Sequence, residues 1–138
     1  MSTIHGTIKV VIADDHEIFR DGMRIMLQKQ QDIQLVGEAG DGRELIDQVK
    51  KLLPDIVISD VKMPRMDGAA ATRHLVEHYP HIGIIALTMF DEEDLIIDML
   101  EAGAKGYLLK NADKNEIVDA IKSVYDQQPY YCRHTSHK

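Results

Sequence analysis

Apolar residues in this chain follow two alternating rhythms. Short runs rich in β-branched residues, Ile8 to Ala13, Ile33 to Ala39, Ile56 to Ser59, Ile82 to Leu87 and Tyr107 to Leu109, predict five strands. Between them the apolar positions recur at helical spacing. Phe19, Met23, Met26 and Leu27 stripe a first helix within residues 16–30, and Leu45, Ile46, Val49, Leu52 and Leu53 stripe a second that Pro54 stops. Ala69 to Tyr79 predicts a third helix, closed by Pro80. Leu95, Ile96, Met99 and Leu100 mark a fourth, with Gly103 where a C-terminal cap belongs. Ile117, Ile121, Val124 and Tyr125 give the fifth its buried face.

Five strand–helix units in a row predict an α/β domain, a parallel sheet covered by helices on both faces. No repeat at solenoid spacing and no low-complexity segment interrupts the alternation. The stretch 127–138 has no period and reads as a linker or a frayed end.

Composition narrows the field. The 138 residues suffice for one compact domain, and 44% hydrophobic with 28% charged residues suits a soluble one. A net charge of -7 is a poor match to nucleic acid, whose phosphates reward clustered Lys and Arg, and a better match to a cation. The single cysteine, Cys132, allows no disulfide within the chain and fits a reducing cytoplasm. No apolar run approaches the roughly 18 residues of a membrane span, and residues 1–6 lack the charged and apolar regions of a secretory signal. The expected location is cytoplasmic.

The chemistry is concentrated where strands end. In an open parallel sheet, ligands bind beyond the carboxyl ends of the strands. Strand one ends in Asp14 and Asp15, strand three in Asp60, strand four in Thr88 and strand five in Lys110. Three crowded carboxylates repel and call for a hard cation such as Mg²⁺, which takes oxygen ligands. A cation, an amine and a hydroxyl around a carboxylate suit phosphoryl transfer, with Asp60 as the attacking group. Taken alone, each residue has a plainer explanation: Asp14 and Asp15 as solvated surface charge, Thr88 as a strand-end hydroxyl capping a turn, Tyr107 as packing, Lys62 as a solvent-facing turn residue, and Asp67-Gly68 as turn chemistry. The spacing of His74 and His78 puts them on one helical face, but no third ligand is evident beside them or His81, so they read as a solvated face. His134, His137 and Cys132 have no evident chemical context.

Together, Asp14-Asp15, Asp60 within Asp60-Val61-Lys62-Met63-Pro64-Arg65-Met66-Asp67-Gly68, Thr88, and Tyr107 three residues before Lys110 resemble the receiver domain of a bacterial two-component response regulator. The resemblance covers roughly residues 7–126. It implies a flavodoxin-like (βα)5 fold of strand order 2-1-3-4-5. It implies Asp60 as phosphoacceptor from a histidine kinase, assisted by Thr88 and Lys110. Mg²⁺ would be held by Asp15, Asp60 and the backbone carbonyl of Lys62, with Asp14 acting through water. Thr88 and Tyr107 would be the switch pair. The phrases Ala13-Asp14-Asp15-His16-Glu17, Val36-Gly37-Glu38-Ala39, Leu87-Thr88-Met89-Phe90 and Ala102 to Lys110 are most similar to the NarL/FixJ subfamily, whose output is a LuxR-type helix-turn-helix. That implies residues 1–6 as an N-terminal extension, 7–126 as the receiver and 127–138 as a linker to a DNA-binding domain outside this chain. Transcription regulation and phosphorylation-linked homodimerisation would follow. A stand-alone receiver, passing phosphate or docking on a partner protein, is the other version. Such a protein carries one phosphoryl group with slow self-dephosphorylation and is not a turnover enzyme.

Two departures from the common pattern stand out. Met89 and Phe90 follow the switch threonine where a small residue is usual, which predicts restricted water access and slow dephosphorylation. Asn111 follows Lys110 where proline, often cis, is usual; a non-proline cis bond costs about 3 kcal/mol, so a trans bond is expected. Two other functions fit less well. A haloacid-dehalogenase-type hydrolase needs an acid two residues after its nucleophile, and Lys62 stands there. A flavin-binding module needs a hydroxyl- or glycine-rich loop after strand one, and Asp14-Asp15 would repel its phosphate.

Overall fold

The computed structural model describes residues 7–89 and 92–131. Ten elements alternate: β1 (Ile8–Ala13), α1 (Glu17–Gln28), β2 (Ile33–Ala39), α2 (Gly42–Leu52), β3 (Ile56–Asp60), α3 (Gly68–His78), β4 (Gly83–Thr88), α4 (Glu93–Ala102), β5 (Gly106–Leu109) and α5 (Lys114–Tyr125). All strand pairs are parallel, in one sheet of order β2-β1-β3-β4-β5. The expected α/β fold and strand order are both present.

Alternation along the strands divides the core. Val10, Ile12, Ile56, Ile58, Ile85, Leu87 and Leu108 face α1 and α5, meeting Met23, Leu27, Ile117, Ile121 and Val124. Val11, Ala13, Val57, Ile84, Ala86, Tyr107 and Leu109 face α2, α3 and α4, meeting Leu45, Val49, Leu75, Ile96 and Met99. Both sides of the sheet are dry at β3 and β4, so those strands read as continuous apolar runs. The β1–β2 register slips between Val10 and Val11, where Val36 is the extra residue: Leu35 pairs with Val10 and Gly37 with Val11.

Helix ends explain the loop geometry around the sheet's carboxyl edge. Asp41 caps α2 by accepting from the N–H groups of Arg43 and Glu44, and Asp67 caps α3 by accepting from Ala70. Asp113 and Glu116 form a reciprocal capping box on α5. Gly103 closes α4 in the left-handed region, φ 119°, as its position in the sequence predicts. Asp67-Gly68 thus does serve turn chemistry, with the Gly68 N–H donating to the Val61 carbonyl.

Several details differ from the sequence pattern. Asp60 belongs to β3 itself and pairs in register with Leu87. Ile82 closes a turn, its N–H donating to the Tyr79 carbonyl, so β4 starts at Gly83. The aperiodic stretch after α5 is in part structured: Tyr130 forms a parallel bridge to Gly106 on the outer edge of β5. Residues 1–6, Phe90, Asp91 and 132–138, with Cys132, His134 and His137, lie outside the described residues. No cis peptide occurs among the described residues, in keeping with Asn111 in place of proline.

Candidate functional site

β1 and β3 are neighbours, so their ends bring Asp14, Asp15 and Asp60 to one corner of the sheet. Asp14 is fully buried, Asp60 is 5% exposed, and Asp15 is open to solvent. Asp14, Asp15, His16 and Asp60 each present a ligand atom within 4.8 Å of the others. Lys110, at the end of β5, reaches across: its Nζ lies 2.7 Å from Asp14 Oδ2 and 3.0 Å from Asp60 Oδ2. The Lys110 N–H donates to the Thr88 carbonyl, which fixes the root of the side chain, and Nζ sits 5.2 Å from the centroid of the Phe19 ring.

Charge balance in this corner is incomplete. Burial pushes the Asp60 carboxyl above the usual carboxylate range; the Lys110 hydrogen bond pulls it back, and the charge of Asp14 adds to the rise. For Lys110, burial alone would lower the ammonium, but the bonds to Asp14 and Asp60 outweigh it and hold the group above its ordinary value. Asp14 Oδ1 accepts from the His16 N–H at 2.8 Å and contacts the His16 ring at 2.9 Å. Asp14 Oδ2 is buried, and the Lys110 ammonium, 2.7 Å away, is shared between it and Asp60. Two buried carboxylates that share one ammonium, beside the exposed carboxylate of Asp15, match the oxygen donor set of a hard divalent cation.

The loop after Asp60 is held from both sides. Val61 N–H donates to the Leu87 carbonyl, and Lys62 N–H approaches Asp60 Oδ1 at 3.3 Å. Arg65, at φ 64°, occupies the left-handed region and pairs with Asp41 at 2.7 Å. Gly42 N–H donates to the Met66 carbonyl. The Lys62 side chain is exposed, as its turn position predicts, yet its Nζ pairs with Glu92 at 3.0 Å.

The expected switch residues stand next to this corner without joining it. Thr88 is fully buried at the end of β4, and its hydroxyl is within 3.1 Å of Glu92 Oε1 and 3.2 Å of the Met89 carbonyl. Tyr107 is buried on the α4 side of the sheet among Ile96 and Met99, its ring 6.0 Å from that of Tyr131. Met89 is 54% exposed. His74 and His78 do share a face of α3 and stack at 4.1 Å, and His78 Nδ1 bonds the His74 carbonyl. Three participants escaped sequence reasoning. His16 adjoins the aspartate pair, which was its only signal. Phe19 reads as core stripe, and Glu92 reads as one acid among several ahead of a helix.

Comparison with known proteins agrees with this geometry. The profile described as response regulator receiver domain matches residues 10–122. The oxygen regulatory protein NreC of Staphylococcus epidermidis is 40% identical over 124 residues, 89% of this chain and 57% of that protein. A LuxR-family two-component response regulator from an Aurantimonas strain superposes with a TM-score of 0.84 at 31% identity, covering 91% of this chain and 89% of that one. The receiver domain of the response regulator NarL from Mycobacterium tuberculosis superposes at 0.82 with 33% identity, covering 89% and 99%. The chain belongs to the response regulator receiver domain family, and its relatives are NarL- and LuxR-type transcription regulators. It spans about half the length of the curated relatives that it matches, 50% and 57% of the first two. The acidic corner is consistent with the family's Mg²⁺ site. Among the described residues, no helix is long and apolar enough to cross a membrane.

Proposed function

We propose that this receiver accepts a phosphoryl group from a sensor histidine kinase on Asp60, in a Mg²⁺-dependent reaction, and changes conformation to control a DNA-binding output. The observation that carries the reading is the setting of Asp60. It is a buried carboxylate at a strand end that shares the Lys110 ammonium with the buried Asp14, beside the exposed Asp15.

An Asp60 oxygen forms a bond to phosphorus while the bond from phosphorus to the kinase histidine nitrogen breaks. The imidazole leaves with that electron pair and takes up a proton. Asp15, Asp60 and the Lys62 carbonyl would hold Mg²⁺ directly and Asp14 through water, and the ion would neutralise charge on the phosphoryl oxygens. Lys110 already faces Asp60 and offsets negative charge there without rearranging. Thr88 and Tyr107 are the switch pair, the hydroxyl leaving its present acceptors for the phosphoryl group. Residues 7–126 form the receiver, 127–138 lead to an output domain, and the cytoplasm is the expected location. That the relatives are about twice as long favours a transcription regulator over a stand-alone receiver. Homodimerisation on phosphorylation belongs to the same reading.

The test is incubation with a small acyl-phosphate donor and Mg²⁺, read by intact mass. Wild type gains one phosphoryl group and Asp60→Asn gains none. Equal gain in both, or none in either at any Mg²⁺ concentration, overturns the reading.

A further inference from the structure

Glu92 occupies the N-cap position of α4, yet it makes no side-chain cap to that helix. Glutamate is not among the preferred N-cap residues. Its carboxylate turns back instead: Oε1 accepts from the Met89 N–H at 3.0 Å and lies 3.1 Å from the Thr88 hydroxyl, whose one proton it shares with the Met89 carbonyl at 3.2 Å, while Oε2 pairs with Lys62 at 3.0 Å. The Glu92 side chain is only 14% exposed. The Met89 N–H bond, opposed by burial and reinforced by Lys62 and Thr88, holds its carboxyl below the usual range. One carboxylate therefore joins the strand-end threonine to the loop that follows Asp60, at the expense of its own helix terminus. Local rules broken in this way concentrate at functional positions.

We propose that Glu92 is the resting-state latch of the receiver, a positioning residue that holds the Thr88 hydroxyl away from Asp60 until a phosphoryl group competes for it. The proposal rests on Asp60 being the phosphoacceptor. A hydroxyl has one proton to donate, so Thr88 cannot serve the Glu92 carboxylate and a phosphoryl oxygen at once. The arriving group carries close to two negative charges and draws on Lys62 as well, two residues from Asp60, which weakens the second arm of the latch. With both gone, the Glu92 carboxylate keeps only its bond from the Met89 N–H among these three, and the N-terminus of α4 is free to repack. The switch is then a change of partner, one anion replacing another on the same donor, and α4 is the element it moves.

The experiment is ¹H–¹⁵N NMR of the whole chain, following the Thr88, Met89 and Tyr107 amides with and without beryllofluoride plus Mg²⁺ as a phosphoryl mimic. The unloaded and loaded wild-type spectra define a line for each amide. Without the mimic, Glu92→Ala is expected to move these amides along that line, an increase of about tenfold in the active population, the equivalent of one charge-assisted hydrogen bond. Glu92→Gln keeps an oxygen acceptor for Thr88 and Met89 but loses the Lys62 pair, so it moves part of the way, and Lys62→Met moves similarly. A merely structural effect would scatter the shifts off the line. If wild type responds to the mimic and the unloaded Glu92 variants stay at its unloaded position, the latch is wrong while the phosphoacceptor reading stands. If wild type neither responds to the mimic nor gains a phosphoryl group, both fall together.

Discussion

Gly68 lies directly against the main-chain carbonyl of Asp60, so that a Cβ at residue 68 would overlap that oxygen and press on the Val61 backbone. The obstruction is backbone and cannot swing aside. Gly68→Ala is therefore expected to displace the β3–α3 loop, at a cost on the order of 1–3 kcal/mol. Urea unfolding of the two proteins measures it. The same change should slow phosphorylation of Asp60, because the shifted atoms carry the nucleophile.

Asp60 itself should work against the fold at neutral pH. Its carboxyl is raised above the ordinary value, chiefly by burial. A raised carboxyl binds its proton more tightly in the folded protein, so its cost is absent below the unfolded pKa and grows as pH rises through the folded pKa. In metal-free buffer at pH 7, Asp60→Asn is expected to be more stable than wild type by roughly 1–3 kcal/mol, the scale of a charge buried without full compensation. The difference should shrink as pH falls toward 4. A pH series of thermal melts on both proteins decides it, and a constant gap across the series would contradict it.

Mg²⁺ should act in the opposite sense. A ligand that binds only the folded chain stabilises it by about 2.7 kcal/mol at a hundred times its dissociation constant. Wild type should gain melting temperature on adding Mg²⁺, and Asp60→Asn or Asp15→Asn should gain much less. Equal gains in all three would mean that the ion binds somewhere other than the acidic corner.

Asp41 tests the scaffold apart from the chemistry. It is 1% exposed, caps α2 through two N–H groups and pairs with Arg65, whose left-handed backbone needs an anchor. The Glu44 N–H is the first cause that holds its carboxyl below the usual range, opposed by burial and reinforced by Arg65. Its stabilising effect is thus full above the unfolded carboxylate range and is lost as pH falls through the depressed folded value. Asp41→Ala should cost about 2 kcal/mol at pH 7, at the upper end for a lost cap, and the deficit should fade in strong acid. Calorimetry at both pH values measures the two numbers.

The alternation of strands and helices and the acidic corner were legible because both follow from local signals, whereas the strand order came from the family resemblance. Dry parallel strands write themselves as β-branched runs, and the residue that ends each run is the residue at the ligand edge. Asp14, Asp15, Asp60 and Lys110 could be placed together on that basis. Thr88 and Glu92 could not, because their pairing depends on the path of a loop, and an acid just before a helix is common in any sequence. His16 was hidden for a similar reason, since a residue at a helix start carries no periodicity. Tyr130 was hidden because one bridge is too short to show alternation.

That single bridge has a consequence for the exposed margin of the sheet. β5 is a terminal strand, and its outer row of N–H and C=O groups is the kind that recruits other chains. Here Tyr130 occupies the row: its N–H donates to the Lys105 carbonyl and its own carbonyl accepts from Tyr107. The approach is possible only because Gly106 has no Cβ, which would otherwise strike the Tyr130 carbonyl. The segment leading away from the receiver is thus also the guard of one of its two sheet borders. A chain trimmed back to the end of α5 would keep every residue of the acidic corner and lose that guard, becoming prone to stick to its own copies edge to edge.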